Sequence, residues 1–287
     1  MTTLRLLAAV VVISLGFLGG CGGGSSASGA APTVVTAFYP LHYVAERIAG
    51  EHANVENLTS PGVEPHDLEL TVQQTTEVAD VDVAFYQKGF QPAVDEAIEQ
   101  SGPDQVVETT EVVPFGDDPH FWLDPIRLSE VAAAFEQEMA RVDPEHAADY
   151  ARNLNSLQAD LATLDTSYRT GLAQCEISTV VVSHDAFGYL AKYGPEFEPI
   201  SGLSPDAEPS PVHIAELQEL VKSQNLTTVF SETLASPELA DTLADDLGIE
   251  TRVLDPIEGL GETTADEDYL SLMRQNLSAL QEANRCP

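Results

Sequence analysis

Basic residues are scarce in this chain: 12 Lys and Arg stand against 47 Asp and Glu among 287 residues, a formal net charge of −35. Such a balance repels phosphate backbones, which argues against nucleic acid and makes a cation the better-matched ligand. Much of the charge serves solubility, because salt screens exposed charges and limits long-range steering. After the N-terminal segment no apolar run is long enough to span a bilayer as a helix. Neither an HExxH pair nor a GxSxG elbow occurs, so two common signatures of hydrolytic chemistry are missing.

Cysteine is rare too, at three residues, and the first is informative. The opening stretch MTTLRLLAAVVVISLGFLGGC has one Arg, an apolar run, and then Gly19 and Gly20 directly before Cys21. Residues 1–20 read as a secretory signal. Small residues before a Cys resemble the lipobox of bacterial lipoproteins, in which the thiol is lipidated and the Cys becomes the first mature residue. Residues 21–32 are rich in Gly, Ser and Ala and read as a flexible, lipidated tether. The expected location is extracytoplasmic, anchored to the cell membrane. In that oxidising compartment Cys175 and Cys286 are expected to pair.

Short β-branched runs alternate with helical patterns along the remainder. In the first half they fall at 33–38, 54–59, 81–87 and 105–110, and in the second at 178–184, 197–202, 226–232 and 250–256. Such alternation means βαβ units and mainly parallel sheets. The expected fold is α/β, with two similar lobes at 33–125 and 175–287, each built on a four-stranded parallel sheet flanked by helices. Residues 126–174 connect them. Within this connection Tyr150, Leu154, Leu157, Leu161, Leu164, Tyr168 and Leu172 recur at steps of three and four, which predicts one long rigid helix over 144–173. Asp143 is its expected N-cap and Pro144 its first residue.

Seven histidines remain to be sorted, and ligands in parallel α/β sheets collect beyond the carboxyl ends of the strands. His42, His52, His146 and His213 lie in helices or polar turns and read as structural or solvated. His66, His120 and His184 each follow a strand, as does Asp255. Two come from each half, which places a site in the cleft between lobes. Three imidazoles and a carboxylate form a donor set that suits zinc, at about 2.0–2.2 Å in a tetrahedron.

In order, FYPLHYVAERIAG, SPGVEPHDLE, DPHFWLDP, VSHDAFGYLAKYG and LDP resemble the motifs of the zinc/manganese solute-binding proteins of ABC importers, across essentially the whole mature chain. The resemblance implies that His66, His120, His184 and Asp255 bind the metal, with Glu232 or Asp185 as substitutes for Asp255. It implies a high-affinity Zn2+ carrier rather than an enzyme, acting as a monomer that delivers its cargo to a permease in the cytoplasmic membrane. Manganese-specific relatives tend to carry a carboxylate where this chain has His184, so the third imidazole tilts the reading to zinc. The long His-rich loop of many zinc-specific members is missing; only TTEVVPFGDD stands there. The alternatives are a manganese or mixed-metal carrier, a surface adhesin of the same fold, and, fitting less well, a zinc hydrolase.

The anchor expectation has a direct test. Cys21→Ser removes the thiol that accepts the lipid and should move the protein from the membrane fraction to the soluble fraction or leave it unprocessed. Unchanged fractionation and mass would refute the lipobox reading.

Overall fold

The computed structural model describes residues 30–114 and 116–287. The signal, Cys21 and most of the tether lie outside the described residues. From Ala31 to Pro287 the chain forms one compact unit.

All eight expected strands are present, each shorter than its sequence run. In the first half they are β1 (Thr33–Thr36), β2 (Asn54–Asn57), β3 (Val83–Tyr86) and β4 (Val106–Glu108), and in the second β5 (Thr179–Val182), β6 (Glu196–Pro199), β7 (Thr228–Ser231) and β8 (Glu250–Val253). They form two all-parallel sheets of identical order, β2-β1-β3-β4 and β6-β5-β7-β8. The interior strands β3, β5 and β7 are buried along their whole length, whereas β2, β6 and β8 at the edges are only partly covered. Burial on both faces is why the interior strands read as unbroken VAFY and TVVV rather than as alternating patterns. In each sheet the chain leaves the first strand toward one edge and returns past it to the other. The crevice at that reversal, beyond the carboxyl ends, is where open α/β sheets bind ligands.

The helices are α1 (Tyr39–Ala49), α2 (Val72–Asp80), α3 (Pro92–Ser101), α4 (Pro125–Val142), α5 (Ala147–Gly171), α6 (Pro211–Gln224), α7 (Glu238–Leu247) and α8 (Tyr269–Ala283). The long helix exists, but it starts later than expected: α5 has 25 residues, or about 37 Å, and its N-cap position is His146. Asp143 instead ends α4. Its carboxylate accepts from Nδ1 of His146 at 2.6 Å and from the Tyr150 hydroxyl at 2.7 Å. The acid therefore serves the N-terminus of α5 across the Pro144 turn, where its charge also suits the helix dipole. The expected stripe faces inward: Tyr150, Leu157, Leu161, Leu164, Tyr168 and Leu172 are buried, and Leu154 packs against them.

One hydrophobic cluster runs from Val34 and Phe85 in the first half, through α4 and α5, to Val180, Val182 and Phe230 in the second. A smaller cluster around Val181, Ile200, Leu217, Val229 and Leu243 fills the other face of the second sheet. The halves thus share a core. Cys175 after α5 and Cys286 after α8 are joined as expected, closing a loop of sequence separation 111. No helix among the described residues is long and apolar enough to cross a membrane.

The chain-entropy model assigns that closure up to about 4–5 kcal/mol. Urea unfolding of the oxidised protein and of the Cys175→Ala/Cys286→Ala double variant should differ by a stability loss of that order or less, always in the direction of destabilisation. Equal midpoints would show that the bond constrains nothing the packed helices do not already hold.

Candidate metal centre

Each imidazole is aimed by a short rigid element. His66 sits on a 3-10 turn, Pro65–Asp67, and its backbone N–H donates to the Glu64 carboxylate at 2.9 Å. His120 precedes another, Phe121–Leu123, whose three side chains are fully buried. Asp118 accepts from both the backbone N–H of His120 at 3.0 Å and its Nδ1 at 2.7 Å. Trp122 anchors the far side of the turn, donating from Nε1 to the Pro256 carbonyl of the other half at 2.8 Å. The Asp-Pro steps on either side of His120 thus frame a corner fixed by its own acid and by a buried indole. His184 lies two residues beyond β5, with Nδ1 3.0 Å from both carboxylate oxygens of Glu232, which follows β7.

With Nδ1 of His120 and His184 engaged by carboxylates, Nε2 is left facing inward, which sets both tautomer and orientation. The Nε2 atoms of His66, His120 and His184 lie 3.3, 3.1 and 3.5 Å from one oxygen, Oε1 of Glu258. The four donor atoms all fall within 4.8 Å of one another. Zinc bonds of about 2.0–2.1 Å in a tetrahedron place ligand atoms about 3.3–3.4 Å apart, so the three measured edges fit that figure. The hydrogen bonding within the protein leaves this cluster incomplete. One oxygen cannot serve three imidazoles well, and Nε2 of His120, Nε2 of His184 and Oε2 of Glu258 are buried without a well-formed hydrogen bond.

The fourth corner differs from the expectation. Asp255 lies beyond β8, where the strand-end rule put it, but both its oxygens are engaged locally, by the Thr233 hydroxyl at 2.6 Å and by the Ile257 N–H at 2.7 Å. Glu258, three residues on, reaches the imidazoles instead. Glu232 backs His184, and Asp185 is not part of the group. The signal for Glu258 was its place as the lone charge in the apolar run PIEGL. The other histidines are spent elsewhere: His42 lies near Thr36 and Glu46, His52 stacks on His146 at 4.0 Å, and Nε2 of His213 bonds the Pro199 carbonyl.

Charge in this pocket is strongly redistributed. Burial alone would discharge the imidazole of His184, but Glu232 and Glu258 outweigh it and push its pKa up to about 10. His120 is likewise raised against burial, by Asp118 and Glu258. Burial works to raise Glu258 as well, yet the three imidazoles gathered at its oxygen hold it well below the usual carboxylate range. Glu64 is pushed up to about 8 by burial and by the charge of Glu258. The cluster therefore stores protons on His120 and His184 around an ionised Glu258, an arrangement suited to exchanging protons for a divalent cation.

Geometry and donors together define a cation-binding protein with its site between two parallel α/β halves. The chain belongs to the family described as zinc-uptake complex component A, periplasmic, whose sequence model matches residues 34–283. It is 33% identical over 292 residues to the zinc-binding lipoprotein AdcA of Streptococcus pneumoniae, an alignment covering 93% of this chain and 58% of AdcA. It is 32% identical to the high-affinity zinc uptake system protein ZnuA of Bacillus subtilis, covering 91% of this chain and 92% of that protein. Among solved structures, the Zn(II)-bound ZnuA-like domain of S. pneumoniae AdcA superimposes with a TM-score of 0.77 at 34% identity, covering 88% of this chain and 98% of that one. The laminin-binding protein Lmb of Streptococcus agalactiae, described as having adhesin and metal-transporting activity, gives 0.80 at 28% identity, covering 88% and 98%. The relatives are named for zinc binding and uptake rather than for catalysis.

A cation entering here must displace protons. With His184 raised to about 10, its ring is protonated at pH 7, so loading with zinc should release at least one proton per ion and affinity should rise with pH. Calorimetric titrations in buffers of different ionisation enthalpy count those protons. No release at pH 7, with flat affinity from pH 8 to 5.5, would contradict this electrostatic picture.

Proposed function

We propose that this chain is an extracytoplasmic zinc-binding protein that holds one Zn2+ on Nε2 of His66, His120 and His184 and on the carboxylate of Glu258, and hands it to an ABC-type permease. The observation that carries the reading is the set of 3.1–3.5 Å separations between one buried carboxylate oxygen and three inward-facing imidazole nitrogens. His66 and His120 come from the first lobe, 33–125, and His184 and Glu258 from the second, 175–287, with 126–174 as the connecting spine. The protein acts as a monomer tethered by lipid at Cys21.

The donor chemistry selects the cargo. Imidazole suits zinc, whereas harder ions such as manganese favour carboxylate and water. Four protein ligands complete the tetrahedron and leave no open position for an activated water, so the site carries no hydrolytic activity. Zinc is cargo, bound and released unchanged.

Single substitutions test the ligand set. Glu258→Gln and Ala at His66, His120 or His184 should each weaken zinc by at least the roughly 10- to 100-fold seen on losing a residue behind a ligand, and His213→Ala should leave it alone. Competition against a chromophoric chelator reads the affinity. Wild-type zinc binding in the Glu258→Gln protein would remove Glu258 from the set, and a sensitive His213 would overturn the sorting of the histidines.

A further inference from the structure

Ile257, next to the proposed ligand Glu258, has a backbone φ of 58°. Left-handed backbone is rare for a β-branched residue, because Cβ crowds the chain's own carbonyl. Such geometry persists only when its surroundings over-determine it, and it gathers at functional sites. Ile257 is fully buried in the main core, so its side chain is held by packing while its backbone is held by something else.

That hold is Asp255. Its Oδ1 accepts from the Ile257 N–H at 2.7 Å, bridging over Pro256, and its Oδ2 accepts from the Thr233 hydroxyl at 2.6 Å. Its own main chain is gripped on both sides by the buried Asn276 of α8, which accepts from the Asp255 N–H at 2.9 Å and donates to its carbonyl at 2.6 Å. The intervening Pro256 carbonyl accepts from Trp122 Nε1 at 2.8 Å. Three elements thus converge on four residues that end at Glu258. A chain passing Ile257 in the extended region would leave in another direction and carry Glu258 off the imidazoles.

We propose that Asp255 is a positioning residue that locks Ile257 in the left-handed conformation and so delivers Glu258 preorganised to the metal. The proposal rests on the zinc reading above. It separates two neighbouring acids by role: Glu258 touches the ion, and Asp255 acts only through the backbone. Preorganisation of this kind tightens binding because the ligand is not ordered at the ion's expense.

The test is a set of zinc competition titrations on wild type, Asp255→Ala, Asp255→Asn, Glu258→Gln, and Ile257→Gly alone and combined with Asp255→Ala. Urea unfolding of each metal-free protein checks the fold. Asp255→Ala should lose about 10- to 100-fold in zinc affinity. Asp255→Asn keeps an acceptor for the Ile257 N–H and should recover to within about threefold of wild type. Because glycine takes positive φ freely, the Asp255→Ala penalty should shrink severalfold in the Ile257→Gly background. Cobalt absorption should change in Asp255→Ala as it does in Glu258→Gln and be restored in Asp255→Asn, a signature that a merely stabilising residue would not move. If Asp255→Asn is as damaged as Glu258→Gln, Asp255 is itself a ligand and the proposal falls. It falls equally if Asp255→Ala binds like wild type or if its penalty is unchanged by Ile257→Gly. Failure of the wild type to bind zinc would instead overturn the functional reading, and this proposal with it.

Discussion

Glu258 is 1% exposed and held in its charged form, and burying an unpaired carboxylate would cost several kcal/mol or more. Three imidazole nitrogens around one oxygen offset that cost only by sharing protons or a cation among them. The protons alone leave a poor solution, with two imidazole nitrogens and a carboxylate oxygen lacking good partners. A tetrahedral ion would engage all three Nε2 atoms and one oxygen of Glu258 at once. The other acids near the site then have different tasks: Asp118 and Glu232 orient rings, Glu64 caps the turn that carries His66, and Asp255 shapes the approach of Glu258.

Such a cluster needs a scaffold that does not relax to relieve it. The shared core and the Trp122 bond to Pro256 bind the halves together around the site. The Tyr269 hydroxyl of α8 adds a bond to the Trp122 carbonyl, so the helix that grips Asp255 through Asn276 also grips the turn that follows His120. Both sides of the metal centre are thereby fixed by one helix, whose far end is tied by the Cys286 bond to the chain leaving α5. Stiffness of this kind is what short metal–ligand distances require.

Much of this was legible in the residues. Eight β-branched runs became eight strands in two parallel sheets, because strands buried on both faces announce themselves by composition. The three histidines that converge on Glu258 were separable from the other four by a topological argument alone. The start of α5 was misplaced because Asp143 and Pro144 match an N-cap signature whether the acid caps from the first position or, as here, from across a turn. The acid that reaches the imidazoles, Glu258 rather than Asp255, was missed for a related reason. Strand-end logic assumes that the first acid past the strand faces the crevice, and Asp255 folds back instead. A left-handed isoleucine has no sequence signature, since it exists only because the tertiary structure enforces it. Periodicity and spacing report what a segment prefers, and Ile257 adopts what it does not.

The same constraint bears on how a tightly held ion could leave. Zinc bonds keep to their ideal lengths within about 0.2 Å, so dismantling the site takes a displacement far smaller than the wide opening of a hinged receptor. His66 and His120 belong to the first half, while His184 and Glu258 belong to the second. Any relative shift of the halves therefore breaks the tetrahedron across its middle rather than detaching one ligand. The continuous core opposes large shifts, but packed interfaces convert small ones into discrete changes of arrangement. Within the fold Glu258 depends most on its surroundings, because Asp255 and Asn276 must hold a backbone conformation that Ile257 disfavours.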